Sequence, residues 1–108
     1  MPTDIDLEVV KTKLLRGLAD RSRLVILTSL SGKSLTVGEI VDATNLTQSN
    51  VSNHLACLKS CGLVTCEQSG RYVTYKLSSQ KIEDLLGLVE ELARQCASGI
   101  DACTIYTE

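Results

Sequence analysis

Residues 47–63 read TQSNVSNHLACLKSCGL, and this stretch decides the fold. Apolar residues recur in it at helical spacing from Val51 to Leu58, which predicts an amphipathic helix. Thr47 stands where an N-cap belongs, and Gly62 stands where a left-handed residue commonly ends a helix. The opposite side of this helix carries short hydroxyl and amide side chains.

A shorter helix precedes this one. Thr36 and Glu39 have the spacing of a capping box, in which each side chain accepts a hydrogen bond from the other residue's backbone N–H. The helix that they open, VGEIVDAT, ends near Asn45. Two helices joined by a turn at residues 44–46 predict a helix-turn-helix.

Helical spacing also marks both flanks of this unit. Residues 7–18 form one amphipathic stretch, and Asp20 is placed as the N-cap of a second helix that ends before Gly32. A last amphipathic helix is predicted from about Ser79 to Gln95.

Two strand-like runs lie between the helix-turn-helix and the last helix. They are LVTCEQ at residues 63–68 and RYVTYKL at residues 71–77, and Ser69-Gly70 separates them, which predicts a β-hairpin. The expected fold is mainly α with a small β-hairpin, in the order of a winged helix-turn-helix.

The 108 residues have the length of one domain. We assign residues 1–95 to a DNA-binding and dimerisation domain and residues 96–108, which lack apolar periodicity, to a flexible C-terminal tail. The first and last helices each keep an apolar stripe that so small a fold does not cover. This pattern predicts a homodimer with twofold symmetry.

Composition excludes several classes of protein. No run of about 18 apolar residues exists, so we expect neither a membrane span nor a membrane partner. The first residues carry acids where a secretion signal needs basic residues, which predicts a cytoplasmic protein. The chain has no Phe, no Trp and only three Tyr, so the core must be aliphatic and stacking on single-stranded bases is disfavoured.

Charge is divided unevenly along the chain. The total is −2, but residues 1–76 carry nine Lys/Arg against seven acids, a net charge of +2, and residues 77–108 carry the remaining −4. A mildly basic body of this kind is able to meet phosphates.

The polar side of the helix at residues 47–59 suits the major groove of double-stranded DNA. Gln and Asn pair with adenine edges, Ser and Thr bind phosphate oxygens, and the helix N-terminus attracts phosphate. The alternative is an ordinary solvated helix face. The candidate DNA-binding residues are these polar side chains and the arginine at the hairpin tip, namely Thr47, Gln48, Ser49, Asn50, Ser52, Asn53, His54, Lys59 and Arg71.

Five cysteines are many for a chain without an export signal, and an odd number favours metal ligation or redox sensing over a disulfide framework. Cys57 and Cys61 are four residues apart on one helix, which places their Cβ atoms about 5–6 Å apart. A disulfide needs about 3.8 Å, so the pair favours chelation over oxidation. The remaining candidates for a third ligand are Cys66, Cys96 and Cys103.

The motifs SNVSNHLACLKSCGLV and GRYVTYKL, with GLADRSR upstream, resemble the ArsR/SmtB family of metal-responsive repressors. The resemblance covers about residues 10–95 and departs at Arg21, where family members often have Pro. It implies a winged-helix homodimer that represses transcription by binding double-stranded operator DNA.

The resemblance also implies a ligand set. The CmtR-type cadmium/lead sensors of this family use a Cys pair on the recognition helix and a tail Cys from the other subunit, and the matching positions are Cys57, Cys61 and Cys103. The segment at residues 37–41 lacks the cysteines of a second family site, and the last helix lacks the histidines of a third. Three thiolates select soft ions, so Cd(II) or Pb(II) is the expected regulatory ligand, with arsenite or Zn(II) as alternatives.

Two other functions remain possible from the sequence. In a redox-switch repressor, Cys61 or Cys66 would pair with Cys96, and in an architectural DNA binder the cysteines would be incidental. An enzyme is not expected, because the chain has no Ser-His-Asp grouping or glycine-rich phosphate loop and His54 is its only histidine.

Overall fold

A computed structural model describes the backbone of residues 5–102 and the side chains of residues 5–99. Five helices of eight residues or more, one antiparallel hairpin and a last short helix follow one another. In chain order the elements are α1 Leu7–Leu18, α2 Arg21–Ser29, α3 Val37–Thr44, α4 Gln48–Ser60, β1 Val64–Ser69, β2 Tyr72–Leu77, α5 Gln80–Gln95 and α6 Ala97–Ala102. This is the predicted winged helix-turn-helix, with α3 and α4 as the helix-turn-helix and β1–β2 as the wing.

The helix boundaries follow from the capping residues. Thr36 Oγ1 accepts the N–H of Glu39 at 3.2 Å and Glu39 Oε1 accepts the N–H of Thr36 at 2.9 Å, which completes the predicted capping box of α3. Thr47 caps α4 by accepting the N–H of Asn50 at 3.2 Å. The turn between the two helices passes through Asn45 in the left-handed conformation, which Asn tolerates better than most residues.

The core is aliphatic, as the absence of Phe and Trp predicts. Every α-helix from α1 to α5, and strand β1, contributes at least one buried side chain to a single cluster. Its members are Leu18, Ile26, Leu27, Leu30, Ile40, Val51, Leu55, Leu58, Leu63, Val64 and Leu86. Because Val51, Leu55 and Leu58 are buried on one side of α4, the opposite side of that helix must face outward.

Helix α4 ends at Ser60, and Cys61 is its C-cap. The Cys61 N–H donates to the carbonyl of Cys57 at 2.9 Å. Gly62 then takes a φ of +81°, the left-handed conformation that its position predicts. The end of α4 is held to the base of the wing, because Ser78, the residue after β2, donates from Oγ to the carbonyl of Gly62 at 2.6 Å.

The middle of the wing is hydrogen-bonded to the segment that precedes α3. Cys66 of β1 lies opposite Tyr75 of β2, and Tyr75 in turn exchanges backbone hydrogen bonds of 2.7 and 2.9 Å with Leu35, just before α3. The turn is one residue later than predicted, since Ser69 belongs to β1 and Gly70, with a φ of +62°, begins the turn. The wing therefore leaves the body beside the N-terminus of α3.

Two helices keep exposed apolar faces. Leu7, Val10 and Leu14 are exposed along α1, and Leu88 and Leu92 are exposed along α5. These are the uncovered stripes that the sequence predicts. Helix α6 is an element that the sequence did not predict, because its six residues show no apolar periodicity. Along residues 5–102 no helix has the length and apolar character needed to cross a membrane.

Asp20 is the N-cap of α2. Its Oδ2 accepts the N–H of Arg23 at 2.9 Å, and this hydrogen bond, aided by the charges of Arg23 and His54, holds the pKa of the carboxyl below its ordinary value. We expect Asp20→Ala to lower the free energy of unfolding by about 1 kcal/mol.

A depressed folded-state pKa stabilises the fold above the unfolded-state pKa, and the contribution is lost as the pH falls through the folded value. The difference between wild type and Asp20→Ala is therefore expected to be constant near neutrality and to shrink below about pH 4. Urea unfolding across this range measures it. Asp42→Ala, which removes an exposed carboxylate within α3, is the control. A difference that grows toward acid pH contradicts the capping role.

Candidate functional site

The outward side of α4, together with the wing tip, forms the candidate DNA-binding surface. Seven of the nine predicted residues are exposed, and Asn50 and His54 are the exceptions, because both are half-buried. The exposed residues are Thr47, Gln48, Ser49, Ser52, Asn53, Lys59 and Arg71. The structure thus brings six of the seven together on one helix and places the seventh, Arg71, at the tip of the wing.

Asn50 does not lie on the free side of α4, contrary to its predicted place. Its Oδ1 is buried and has no hydrogen-bond partner among the described residues. The Asn50 backbone N–H donates to Thr47 Oγ1, which ties the residue to the first turn of the helix. An adenine-reading Asn needs its amide oxygen at the surface. A base contact by Asn50 therefore requires the side chain to turn over.

His54 also differs from its predicted place on a free face. It lies near the start of α2, where its charge contributes to lowering the pKa of Asp20. Lys59 is exposed in the last turn of α4, and an interaction with Cys66 of β1 raises the pKa of its ammonium group. Helical spacing on α4 alone did not indicate these interactions, because Asp20 and Cys66 belong to other elements.

Tyr72 is a candidate that the sequence analysis missed. It is the first residue of β2, follows Arg71 at the wing tip, and is 63% exposed. A large exposed side chain beside an arginine at the tip of a wing is suited to contact a DNA backbone. Its position next to the predicted turn is a sequence signal from which it could have been identified.

The two thiols of α4 form the candidate metal site. Cys57 and Cys61 are exposed and lie one turn apart, since the Cys61 N–H donates to the carbonyl of Cys57. Loss of water around the thiol raises the pKa of Cys61, and the neighbouring Cys57 raises it further, whereas the positive charge of Arg23 lowers it. At neutral pH Cys61 is a neutral thiol, which is less reactive toward oxidants than a thiolate.

The remaining cysteines lie apart from this pair. Cys66 is half-buried in β1 opposite Tyr75, and Cys96 is the exposed C-cap of α5. Cys103, the predicted third ligand, lies outside the described residues. Within residues 5–99, no three side chains of Cys, His, Asp or Glu meet in a metal-binding cluster. Of the four cysteines among the described residues, Cys57 and Cys61 therefore lie one turn apart on α4 and its C-cap, whereas Cys66 and Cys96 lie on other elements.

Comparison with known proteins decides the family. The sequence profile described as bacterial regulatory protein, arsR family, matches residues 20–65. The HTH-type transcriptional regulator CmtR of Mycobacterium tuberculosis is 41% identical over 80 residues, which cover 74% of this chain and 68% of that protein. The chain belongs to the ArsR family. ArsR-family proteins are DNA-binding transcriptional regulators rather than enzymes.

The chain is also similar to a second curated relative and to two solved structures. A probable mercury resistance operon repressor of Streptomyces lividans is 34% identical over 92 residues, 85% of this chain and 74% of that protein. The NMR structure of the cadmium metal-sensor CmtR superposes with a TM-score of 0.63 at 42% identity, covering 70% of this chain and 79% of that one. A homodimeric winged helix-turn-helix DNA-binding domain from Mycobacterium bovis, a possible ArsR-family regulator, gives a TM-score of 0.74 at 26% identity, with 92% and 95% covered.

Proposed function

We propose that this ArsR-family regulator is a repressor that binds double-stranded operator DNA as a homodimer and releases it when a soft metal ion is bound. The proposed metal ligands are the thiolates of Cys57, Cys61 and Cys103, and the proposed ion is Cd(II) or Pb(II). The observation that carries the proposal is that two exposed thiols lie one turn apart at the end of α4, the helix whose outer side carries the predicted DNA contacts.

The donor set fits a soft ion. Thiolates select Cd(II), Pb(II), arsenic(III) or Zn(II) over Mg(II) and Ca(II), which prefer oxygen. Two sulfurs one turn apart supply two of the three donors of such a site, and a third soft donor completes it. We propose that residues 96–108 form a tail that carries this donor, Cys103. The description of the CmtR relative as a cadmium metal-sensor supports Cd(II).

DNA binding and metal binding are expected to oppose each other. Cys57 is on the same helix as Ser52 and Asn53, so drawing it toward a third ligand changes how that helix is presented to the groove. In a homodimer two such helices must match half-sites about one helical turn apart, so a small displacement lowers operator affinity. By linkage, the DNA complex must then bind the ion more weakly than the free protein does.

One titration tests the proposal. Reduced protein bound to its labelled operator is titrated with Cd(II), Pb(II), arsenite and Zn(II), while sulfur-to-metal charge-transfer absorption and fluorescence anisotropy are followed together. We expect absorption to saturate at three thiolates per subunit and DNA release to follow the same curve. Release by peroxide with a shifted band on a non-reducing gel, and no response to the metals, would establish the redox alternative instead.

Cys103→Ser tests the tail separately. We expect this variant to bind operator as the wild type does, and its Cd(II) affinity to fall by roughly 100-fold, because serine is a poor ligand for a soft ion. Cys96→Ser, which removes an exposed thiol from the end of α5, is the matched control and is expected to respond as the wild type. Unchanged release from Cys103→Ser removes the tail from the site.

A further inference from the structure

Helix α1 is held to the rest of the chain at one end. Every residue from Leu7 to Arg16 is exposed, whereas Leu18, in the last turn, belongs to the buried cluster. The exposed part carries five large apolar side chains, namely Leu7, Val9, Val10, Leu14 and Leu15. Because the core holds only its last turn, the direction of α1 depends on contacts made at that end.

Arg23, the third residue of α2, makes those contacts. Its Nε donates to the carbonyl of Gly17 at 2.7 Å, and its Nη2 donates to the carbonyl of Arg16 at 3.5 Å. Carbonyls in the last turn of a helix lack intrahelical partners and carry partial negative charge. A guanidinium is therefore a favourable donor to them, and its hydrogen bonds are stronger than those of a neutral group.

The same residue also spans the junction between the two helices, which consists of Ala19 and Asp20 alone. The Arg23 backbone N–H donates to Asp20 Oδ2 at 2.9 Å, while its side chain donates to Gly17. Helix α2 is itself anchored in the core by Ile26 and Leu27. Arg23 thus joins an arm with an exposed apolar surface to a helix whose position is fixed.

A second copy of the chain is the cover that charge favours for α1. Helix α1 carries three basic residues against one acidic residue, a net charge of +2, and α5 carries two basic residues against four acidic ones, a net charge of −2. Both helices expose apolar residues. Helix α1 of one copy and α5 of another therefore complement each other in apolar surface and in charge.

We infer that Arg23 is a positioning residue for dimerisation, which holds α1 in the direction in which it meets the second subunit and so helps to set the spacing of the two recognition helices. The inference rests on the homodimer of the proposed function, and it adds a residue outside the predicted DNA-binding and metal-binding sets. A helix already held in its bound direction loses less conformational freedom on association than a mobile helix does, so the anchor strengthens the dimer.

Three variants of the full chain test the inference. Arg23→Met keeps an apolar stem and removes every donor, Arg23→Lys keeps one charged donor, and Arg21→Met removes a charge from an exposed neighbour as the control. Sedimentation equilibrium measures the dimer, and fluorescence anisotropy measures binding to the full operator and to a duplex that holds one half-site. We expect Arg23→Met to weaken dimerisation and full-operator binding roughly tenfold each and to leave half-site binding unchanged. Arg23→Lys should lie between Arg23→Met and the wild type, and Arg21→Met should dimerise as the wild type does.

Half-site binding separates a loss of positioning from a loss of fold, because one recognition helix suffices to read a half-site. If Arg23→Met loses both half-site binding and helical circular dichroism, Arg23→Lys decides, and a weaker dimer with wild-type half-site binding is expected of it. A dimer of wild-type strength in a folded Arg23→Met, or equal loss of half-site and operator affinity, overturns the inference and leaves the proposed function standing. A wild-type chain that sediments as a monomer overturns the proposed homodimer, and the inference falls with it.

Discussion

The Cys61→Ser variant is expected to bind operator DNA as the wild type does and to stay bound to it when Cd(II) is added. Cys61 is an exposed C-cap, so the substitution removes no core contact and leaves the outer side of α4 unchanged. A serine hydroxyl does not ionise at neutral pH and is a hard donor, so the pair no longer chelates a soft ion. The Cd(II) affinity should fall by about 100-fold or more, and Cys57→Ser should behave in the same way.

Operator anisotropy with and without Cd(II), and charge-transfer absorption on the same samples, measure this prediction. Cys66→Ser is the matched control, because it removes a half-buried thiol from the wing strand and leaves both thiols of α4. We expect the control to release DNA at the wild-type Cd(II) concentration. If Cys61→Ser also releases DNA at that concentration, the metal that controls DNA binding is held elsewhere.

Local sequence rules predicted the backbone well, because the signals are local. The capping box of α3 needs only Thr36 and Glu39, and both of its hydrogen bonds are present. A left-handed helix end needs only a residue such as Gly62, whose φ is +81°. The first and last helices were predicted from apolar spacing, and the same spacing correctly left their stripes uncovered.

The surroundings of the side chains were less predictable. Helical spacing tells which side of α4 a residue occupies, but not which other element approaches that side. Asn50 and His54 are half-buried for this reason. The closeness of Cys57 and Cys61 was predictable, because it depends only on their spacing within one turn. The hydrogen bond from Arg23 Nε to the carbonyl of Gly17 was not, because it depends on how α2 packs against the end of α1.

The exposed apolar residues of α1 and α5 support the proposed homodimer. Leu88 and Leu92 lie one turn apart on α5 and are 55% and 56% exposed in the single chain. Leaving several such side chains in water on two helices is costly, at about 25 cal/mol per Å² of apolar surface. The homodimeric winged helix-turn-helix DNA-binding domain from Mycobacterium bovis gives a precedent for a second copy that covers such residues.

The double substitution Leu88→Glu with Leu92→Glu is therefore expected to produce a folded monomer with little affinity for the operator. Neither leucine belongs to the buried cluster, so circular dichroism should show the wild-type helix content, whereas two carboxylates cannot be buried unpaired between subunits. Because a dimer engages two half-sites as one unit, operator affinity should fall by about 100-fold or more. Sedimentation equilibrium and operator anisotropy measure the two effects, and Glu91→Gln, an exposed residue of the same helix, is the control. A variant that sediments as a dimer would show that the subunits meet through another surface, and the spacing of the two recognition helices would then have to be set by that surface instead.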